Sequence, residues 1–227
     1  MTTQTNLNTD TNTSPTLAEQ IASFQQELLP NVPQEIMQSL TEEMAKLLES
    51  GIAQAAIGVG DHFPAFALPD ADKQPISLST LLEGGPVVIN FYRGTWCPYC
   101  NLEMNALQQR LPDIRAAGAA LVAISPQTPD FSSDQVTKAR LDFDVLSDVG
   151  NILSRKCGLV FTLPERLRPI YQAWQLDIPA HNGDDSYELP IPATYILNQD
   201  GSIRYAYVNM DYTQRLEPDV IIEQLNK

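Results

Sequence analysis

The chain has 227 residues, 43% hydrophobic and 19% charged, enough for one globular domain with an extension. A formal charge of -14 and a pI of about 4.4 argue against nucleic acid and anionic membrane surfaces as partners. Three cysteines make no secreted disulfide framework, no apolar run approaches the ~20 residues of a membrane span, and no Lys or Arg precedes Lys46, so neither a signal peptide nor a transit peptide is expected and the setting reads as cytoplasmic.

Residues 1–15, rich in Thr, Asn and Gln, read as a disordered tail. From Thr16 onward Leu17, Ile21, Phe24 and Leu28 recur at helical spacing until Pro30 and Pro33 break the pattern. A second helix is expected from about Pro33 to Ser50, with Ile36, Leu40, Met44, Leu47 and Leu48 on one face and Gly51 at its end. Residues 16–57 therefore form an N-terminal helical extension. Its apolar stripes need cover, either from the body of the chain or from a second copy in a homodimer.

The texture changes at Gly58, where two short β-like pieces are punctuated by Gly and Pro up to Asp70. Ser77, Ser79 and Thr80 offer hydroxyls to cap a short helix. Val87 to Tyr92 reads as a strand covered on both faces. Gly94 and Thr95 end it, and Pro98 suits the first turn of a helix carried by Leu102, Ala106, Leu107 and Leu111; Pro112 is expected to kink or end that helix. Ala119 to Ser125 and Val145 to Ser147 read as strands, and Pro129 to Arg140 and Val149 to Lys156 as helices. A helix from about Leu163 to Leu176 carries Tyr171 and Trp174, and residues 177–190 read as a loop. Ile191 to Leu197 is a strand with Pro192 near its head, the turn Asn198-Gln199-Asp200-Gly201 leads to a partner strand Ile203 to Val208, and Glu217 to Leu225 closes the chain as an amphipathic helix. The alternation indicates an α/β layer fold over residues 58–227 with parallel crossovers.

The chemistry concentrates in Arg93-Gly94-Thr95-Trp96-Cys97-Pro98-Tyr99-Cys100. Cys97 falls near a helix N-cap and Cys100 about one turn in. Unpaired N–H groups and the helix dipole there favour a thiolate, so the first thiol of such a pair can drop well below the free value of about 8.5. The plainer readings are half of a zinc site or two unrelated structural cysteines. A tetrahedral zinc needs four ligands, and only Cys157, His62 and His181 remain to supply them.

From Gly58 to the end the chain resembles the thioredoxin superfamily, in its AhpC/TSA (peroxiredoxin-like) branch. Gly60-Asp61-His62-Phe63-Pro64-Ala65-Phe66 with Leu68-Pro69-Asp70 is similar to the opening of peroxiredoxins, and Asn198-Gln199-Asp200-Gly201-Ser202-Ile203 to their late hairpin. The resemblance implies a thioredoxin-like fold, a central mixed β-sheet flanked by helices. Two registers compete within it. In the peroxiredoxin register Cys100 takes the peroxidatic place, Glu103 falls on the family glutamate, Cys97 on the threonine and Arg93 on the proline. In the thioredoxin register Cys97 is the nucleophile, Cys100 resolves, and Pro192 resembles the cis-proline facing the disulfide. Many peroxiredoxins carry an arginine near that proline. None stands there in this chain, and Arg93 is the candidate to supply the charge.

The resemblance implies reduction of hydrogen peroxide and organic hydroperoxides through a thiol/disulfide cycle, recycled by a thioredoxin-type donor, with no metal or organic cofactor. The alternative is a protein disulfide oxidoreductase with little peroxidase activity, and a non-catalytic redox sensor is a third reading. Cys97, Cys100, Glu103, Arg93 and Thr95 are the candidate catalytic residues. Trp96, Pro98, Tyr99 and Pro192 are the candidate contacts for substrate or partner. Cys157 is read as buried packing ahead of a third redox thiol, His62 and His181 as solvated ahead of a catalytic histidine, with His181 in a polar loop, and Tyr171 and Trp174 as either a partner surface or a cover over the core.

Overall fold

The computed structural model describes residues 15–227; the tail expected over 1–15 lies, Pro15 apart, outside the described residues. Its centre is strand β3 (Val87–Phe91), every residue of which is buried. An apolar, β-branched run of this kind is stable only when covered on both faces. On one side β4 (Ala120–Ser125) pairs with β3 in parallel and β5 (Asp144–Ser147) with β4 in parallel; on the other, β8 (Ala193–Leu197) pairs with β3 antiparallel and β9 (Ile203–Val208) with β8 antiparallel. The order is β5-β4-β3-β8-β9, a mixed five-stranded sheet. The β8–β9 hairpin turns at Asn198 to Gly201, where Gly201 has φ 83°.

Alternate residues of β3 point to two separate cores. Val88 faces helix α4 (Pro98–Ala116) and helix α9 (Pro218–Leu225); Val87, Ile89 and Phe91 face the short helices α3 (Leu78–Glu83) and α6 (Ile152–Lys156) and the segment 159–191. Helix α5 (Pro129–Ala139) follows β4. Pro112 does not end α4, which continues to Ala116: buried Leu111 and Ile114 on either side hold the helix through the missing N–H.

The N-terminal helices are α1 (Leu17–Leu28) and α2 (Gln34–Glu49). Thr16 caps α1 in a capping box with Glu19, and the Glu217 carboxylate accepts from the N–H groups of Leu17 and Ala18 at 3.1 and 2.7 Å. α1 packs into the core beneath α4, whereas Leu40 and Leu47 of α2 pack against the core on the other face of the sheet. The two helices therefore straddle the molecule.

Two regions differ from the sequence-based expectation. Of the β-like pieces between Gly58 and Asp70 only the second pairs, as β1 (Ala67–Pro69) with β2 (Pro75–Ser77); the first contributes an isolated bridge from His62 to Ser202. The expected loop 177–190 contains helix α8 (Ile178–Asn182), capped by Asp177, and strand β7 (Glu188–Pro190), which pairs with β6 (Val160–Thr162). The expected helix before it is a 3-10 turn, Glu165–Leu167, running into α7 (Arg168–Ala173).

Candidate active site

The loop from β3 to α4 is shaped by Gly94. Its φ is 143°, and a Cβ there would come within 2.5 Å of the Trp96 indole nitrogen and 2.9 Å of the Gln127 side-chain oxygen. The same Gln127 oxygen accepts from the Thr95 N–H at 2.8 Å and the Thr95 hydroxyl at 2.9 Å, while the Thr95 carbonyl accepts from Asn101 at 2.8 Å. Thr95 thus braces the loop rather than contacting a thiol. His181 Nδ1 lies 3.1 Å from Gln127 Oε1, with its ring 4.0 Å from that of Phe131. It is half-buried, not the solvated residue expected from its polar neighbours, and burial lowers its pKa.

The loop delivers Cys97 to the N-cap of α4, with Pro98 at the first helical position and Cys100 in the first turn. Both thiols are free and fully buried. Two guanidinium groups flank them. Arg93, 3% exposed, lies inside an aromatic cage: its Cζ is 4.0 Å from the Tyr212 ring centre and 4.8 Å from that of Trp96, and it donates to the Tyr171 hydroxyl at 3.2 Å. The groups facing its charge are Tyr171, Cys97, Tyr212 and Cys100, with no carboxylate among them. Arg215 lies on the other side, donating to the Cys100 sulfur at 3.3 Å, to the Tyr212 carbonyl at 2.8 Å and to Glu103. Glu103 is almost completely buried and also accepts from Asn90 at 3.0 Å, which donates in turn to Thr194 at 3.2 Å.

The electrostatics follow from that layout. Burial alone pushes the Cys97 thiol up, but the hydrogen bond from Cys100 and the charges of Arg93 and Arg215 outweigh it and hold Cys97 at about 5. Burial and then the neighbouring Cys97 push Cys100 well above the ordinary thiol value. The layout favours a thiolate on Cys97 over one on Cys100. Burial also raises the Glu103 pKa, against the pull of Arg215.

Tyr99 and Pro192 complete the set. Tyr99 stacks edge-on with Phe24 of α1 at 5.4 Å and with Tyr212 at 5.6 Å, linking the N-terminal extension to the site. Pro192 precedes Ala193, the register partner of Phe91, so it lies beside the end of β3. Its peptide bond is trans, since no cis bond occurs among the described residues; the resemblance to a thioredoxin cis-proline therefore fails. A second cation beside the thiols that the sequence did not point to is Arg215, far along the chain in the turn before α9, a place no local motif marks. Tyr171, Tyr212 and Gln127 were likewise not singled out as site residues; buried Tyr171 forms part of the cage, while Trp174 is 40% exposed. Among the described residues no group of three or more His, Cys, Asp or Glu side chains is placed to hold a metal ion, and no helix is long and apolar enough to cross a membrane.

A cavity of about 810 Å³ opens over this site, lined by Arg93, Trp96, Cys97, Pro98 and Tyr99 at its floor. Cys97 is among the residues lining it, although its side chain is fully buried; Cys100 is not among them.

The chain is 30% identical over 155 residues to a chloroplastic peroxiredoxin Q of Populus jackii, covering 68% of this chain and 62% of that one. It is 30% identical over 155 residues to the chloroplastic peroxiredoxin Q of Gentiana triflora, covering 68% of this chain and 61% of that one. It thus spans rather under two thirds of the length of these relatives. Among solved structures it superposes on peroxidoxin BcpB from Mycobacterium tuberculosis with a TM-score of 0.59, at 22% identity, over 75% of this chain and 97% of that one, a likeness of fold. The sheet order, the thiols at the start of α4 and a match of residues 59–206 to the AhpC/TSA family lead to one conclusion: the chain belongs to the AhpC/TSA family, on a thioredoxin-like fold.

Proposed function

We propose that the chain is a thiol-dependent peroxidase in which Cys97 attacks and Cys100 resolves. The observation that carries this reading is the buried Arg93 guanidinium, with no carboxylate facing it, beside a thiol at a helix N-cap. A buried charge needs a counter-charge, and the Cys97 thiolate is the group at hand. In the first step the Cys97 sulfur forms a bond to the terminal oxygen of the hydroperoxide as the O–O bond breaks. The departing alkoxide or hydroxide takes a proton from water, and Cys97 becomes a sulfenic acid. N–H groups in the first turn of α4 and Arg93 favour the charge developing on the oxygens. Cys100 then condenses with the sulfenic acid, releasing water and leaving a Cys97–Cys100 disulfide. A thioredoxin-type dithiol reduces that disulfide by exchange, its own thiols becoming oxidised.

Enclosure of both thiols suits a small hydroperoxide better than a protein disulfide; in this reading the first turn of α4 opens after oxidation to admit the donor. The reading includes a cytoplasmic setting, where such donors keep the pair reduced. A homodimer through the N-terminal helices is the rival use of their exposed leucines. Leu28, Leu29 and Leu48 all line the cavity, so ligand and second copy compete for one surface, and we favour the ligand.

The test is rapid mixing of the reduced protein with one equivalent of hydrogen peroxide, followed by mass-spectrometric mapping. Fast formation of a Cys97–Cys100 disulfide, with sulfenic acid persisting on Cys97 in Cys100→Ser, is the expected result. Oxidation no faster than a free thiol, together with strong insulin reduction, would assign the pair to protein disulfide exchange instead. Sulfenic acid on Cys100 in Cys97→Ser, at the parent rate, would reverse the two roles.

A further inference from the structure

The loop that carries Cys97 is pinned through Thr95, and the pin is set from helix α8. Gln127, fully buried just past the end of β4, accepts from the Thr95 N–H at 2.8 Å and the Thr95 hydroxyl at 2.9 Å. Asn101 donates to the Thr95 carbonyl at 2.8 Å, so every polar atom of Thr95 is engaged. The flanking chain has little slack. Gly94 has no room for a Cβ on the Gln127 side, and the Cys97 N–H closes the turn onto the Gly94 carbonyl at 3.1 Å. The place of the Cys97 sulfur at the N-cap of α4 therefore depends on the Gln127 amide.

That amide can face Thr95 either way round, and only one way works. Its oxygen accepts the Thr95 N–H; its NH2 group would set donor against donor. The Thr95 hydroxyl donates or accepts and does not choose between them. Gln127 Nε2 is buried without a partner among the described residues, so no acceptor on that side holds the amide. The choice falls to His181, whose Nδ1 lies 3.1 Å from Gln127 Oε1. With a proton on Nδ1 the ring donates and keeps the oxygen where Thr95 needs it. With Nδ1 bare, the ring would draw the NH2 group towards itself and turn the oxygen away.

His181 is itself held. Its carbonyl accepts from the Thr128 N–H at 3.0 Å, its own N–H donates to the Asp177 carbonyl at 3.1 Å, and its ring centre lies 4.0 Å from that of Phe131. Burial favours the neutral ring, against the pull of the Asp177 carboxylate, so one nitrogen carries the proton and the other does not.

We propose that His181 is a positioning residue for the attacking thiol: its Nδ1–H donates to Gln127 Oε1, fixes the orientation of that amide and, through Thr95, holds Cys97 at the N-cap of α4. The proposal rests on the reading of Cys97 as the attacking thiol. His181 touches no reacting atom and exchanges no proton with the peroxide. Its effect passes through geometry, because a thiolate is favoured there only while it faces the first N–H groups of α4 and the Arg93 guanidinium.

The test uses the full-length reduced protein. Nitrogen-15 NMR of the imidazole at neutral pH reads the tautomer with no substitution, and a proton on Nδ1 of His181 is expected. A proton on Nε2 alone would overturn the proposal. Two variants then separate donor from ring: His181→Asn keeps an N–H donor near the place of Nδ1 and loses the ring, whereas His181→Phe keeps the ring against Phe131 and loses the donor. The alkylation midpoint of Cys97 is expected to stay close to that of the parent in His181→Asn and to rise by about one pH unit in His181→Phe. Oxidation of His181→Phe by hydrogen peroxide is expected to be about tenfold slower, and that of His181→Asn within about twofold of the parent. Lower urea midpoints in both variants with the Cys97 midpoint unmoved would overturn the proposal and leave His181 a packing residue. A His181→Asn profile displaced as far as that of His181→Phe would overturn it too. A shifted Cys97 midpoint in His181→Phe alone, with parent and variants all inert to peroxide, would keep the positioning role and overturn the peroxidase reading.

Discussion

Cys97 and Cys157 are both fully buried thiols at the ends of helices, and they differ in what surrounds them. Cys157 caps the C-terminal end of α6, among apolar side chains and near Asp148; burial, then that carboxylate, push its thiol up to about 12. Cys97 is no less buried, yet it stands at an N-cap between Arg93 and Arg215 and is held at about 5. Enclosure thus silences one thiol and not the other. The difference is the hydrogen bond from Cys100 and the sign of the charge enclosed with each, Arg93 first among the charges, whose cage of Trp96, Tyr171 and Tyr212 keeps it buried without neutralising it. Arg215 is a different kind of buried cation, its charge already met by Glu103.

That contrast can be broken at several points. Cys97→Ser is expected to slow oxidation by hydrogen peroxide by roughly a thousandfold or more in stopped-flow fluorescence, since no other group replaces the nucleophile. Arg215→Leu strands Glu103 as an unpaired buried carboxyl and is expected to lower unfolding stability by about 3–5 kcal/mol in urea titrations, with Glu103→Leu added to it recovering most of the loss. Arg93→Met keeps the length and removes the charge. It is expected to raise the Cys97 thiol by roughly 1–3 pH units, read from thiolate ultraviolet absorbance, so that peroxide reactivity falls about tenfold or more at neutral pH and returns in alkali.

Stability against pH separates the two cysteines by sign. Cys97 is depressed from about 9 to about 5, so its contribution is present above pH 9 and is lost as pH falls towards 5. Cys157 is raised from about 9 to about 12, so its contribution is complete below pH 9 and is lost as pH rises towards 12. Urea midpoints of the reduced protein should therefore carry an acid-side slope absent from Cys97→Ser and an alkaline-side slope absent from Cys157→Ala. The smallest effect is on rate: Cys157→Ala should leave peroxide oxidation within about twofold of the parent, because that thiol lies outside the site.

Legibility followed the range of the interactions. The strand at Val87, the Cys97 cap of α4 and the turn at Gly201 depend on neighbours in sequence, and their residue types mark them. The cage around Arg93 depends on Tyr171 and Tyr212, and the ion pair of Glu103 on Arg215, partners more than 75 positions away that carry no local signature. Helix α8 and strand β7 are five and three residues long, too short to show a period, and β7 exists because Phe161 faces Leu189 across a pairing that only the folded chain makes. Pro112 fails to end α4 for the same reason: a local breaker lost to the burial of Leu111 and Ile114.

The most direct measurement is site-resolved alkylation of the reduced protein by a small iodoacetamide across pH, with each cysteine quantified by mass spectrometry. The expected result is half-maximal labelling of Cys97 near pH 5, with Cys157 unlabelled until the chain unfolds and Cys100 far behind. A Cys97 profile with the midpoint of an ordinary thiol, or the acidic profile appearing on Cys100, would contradict the assignment of the buried charge to Cys97.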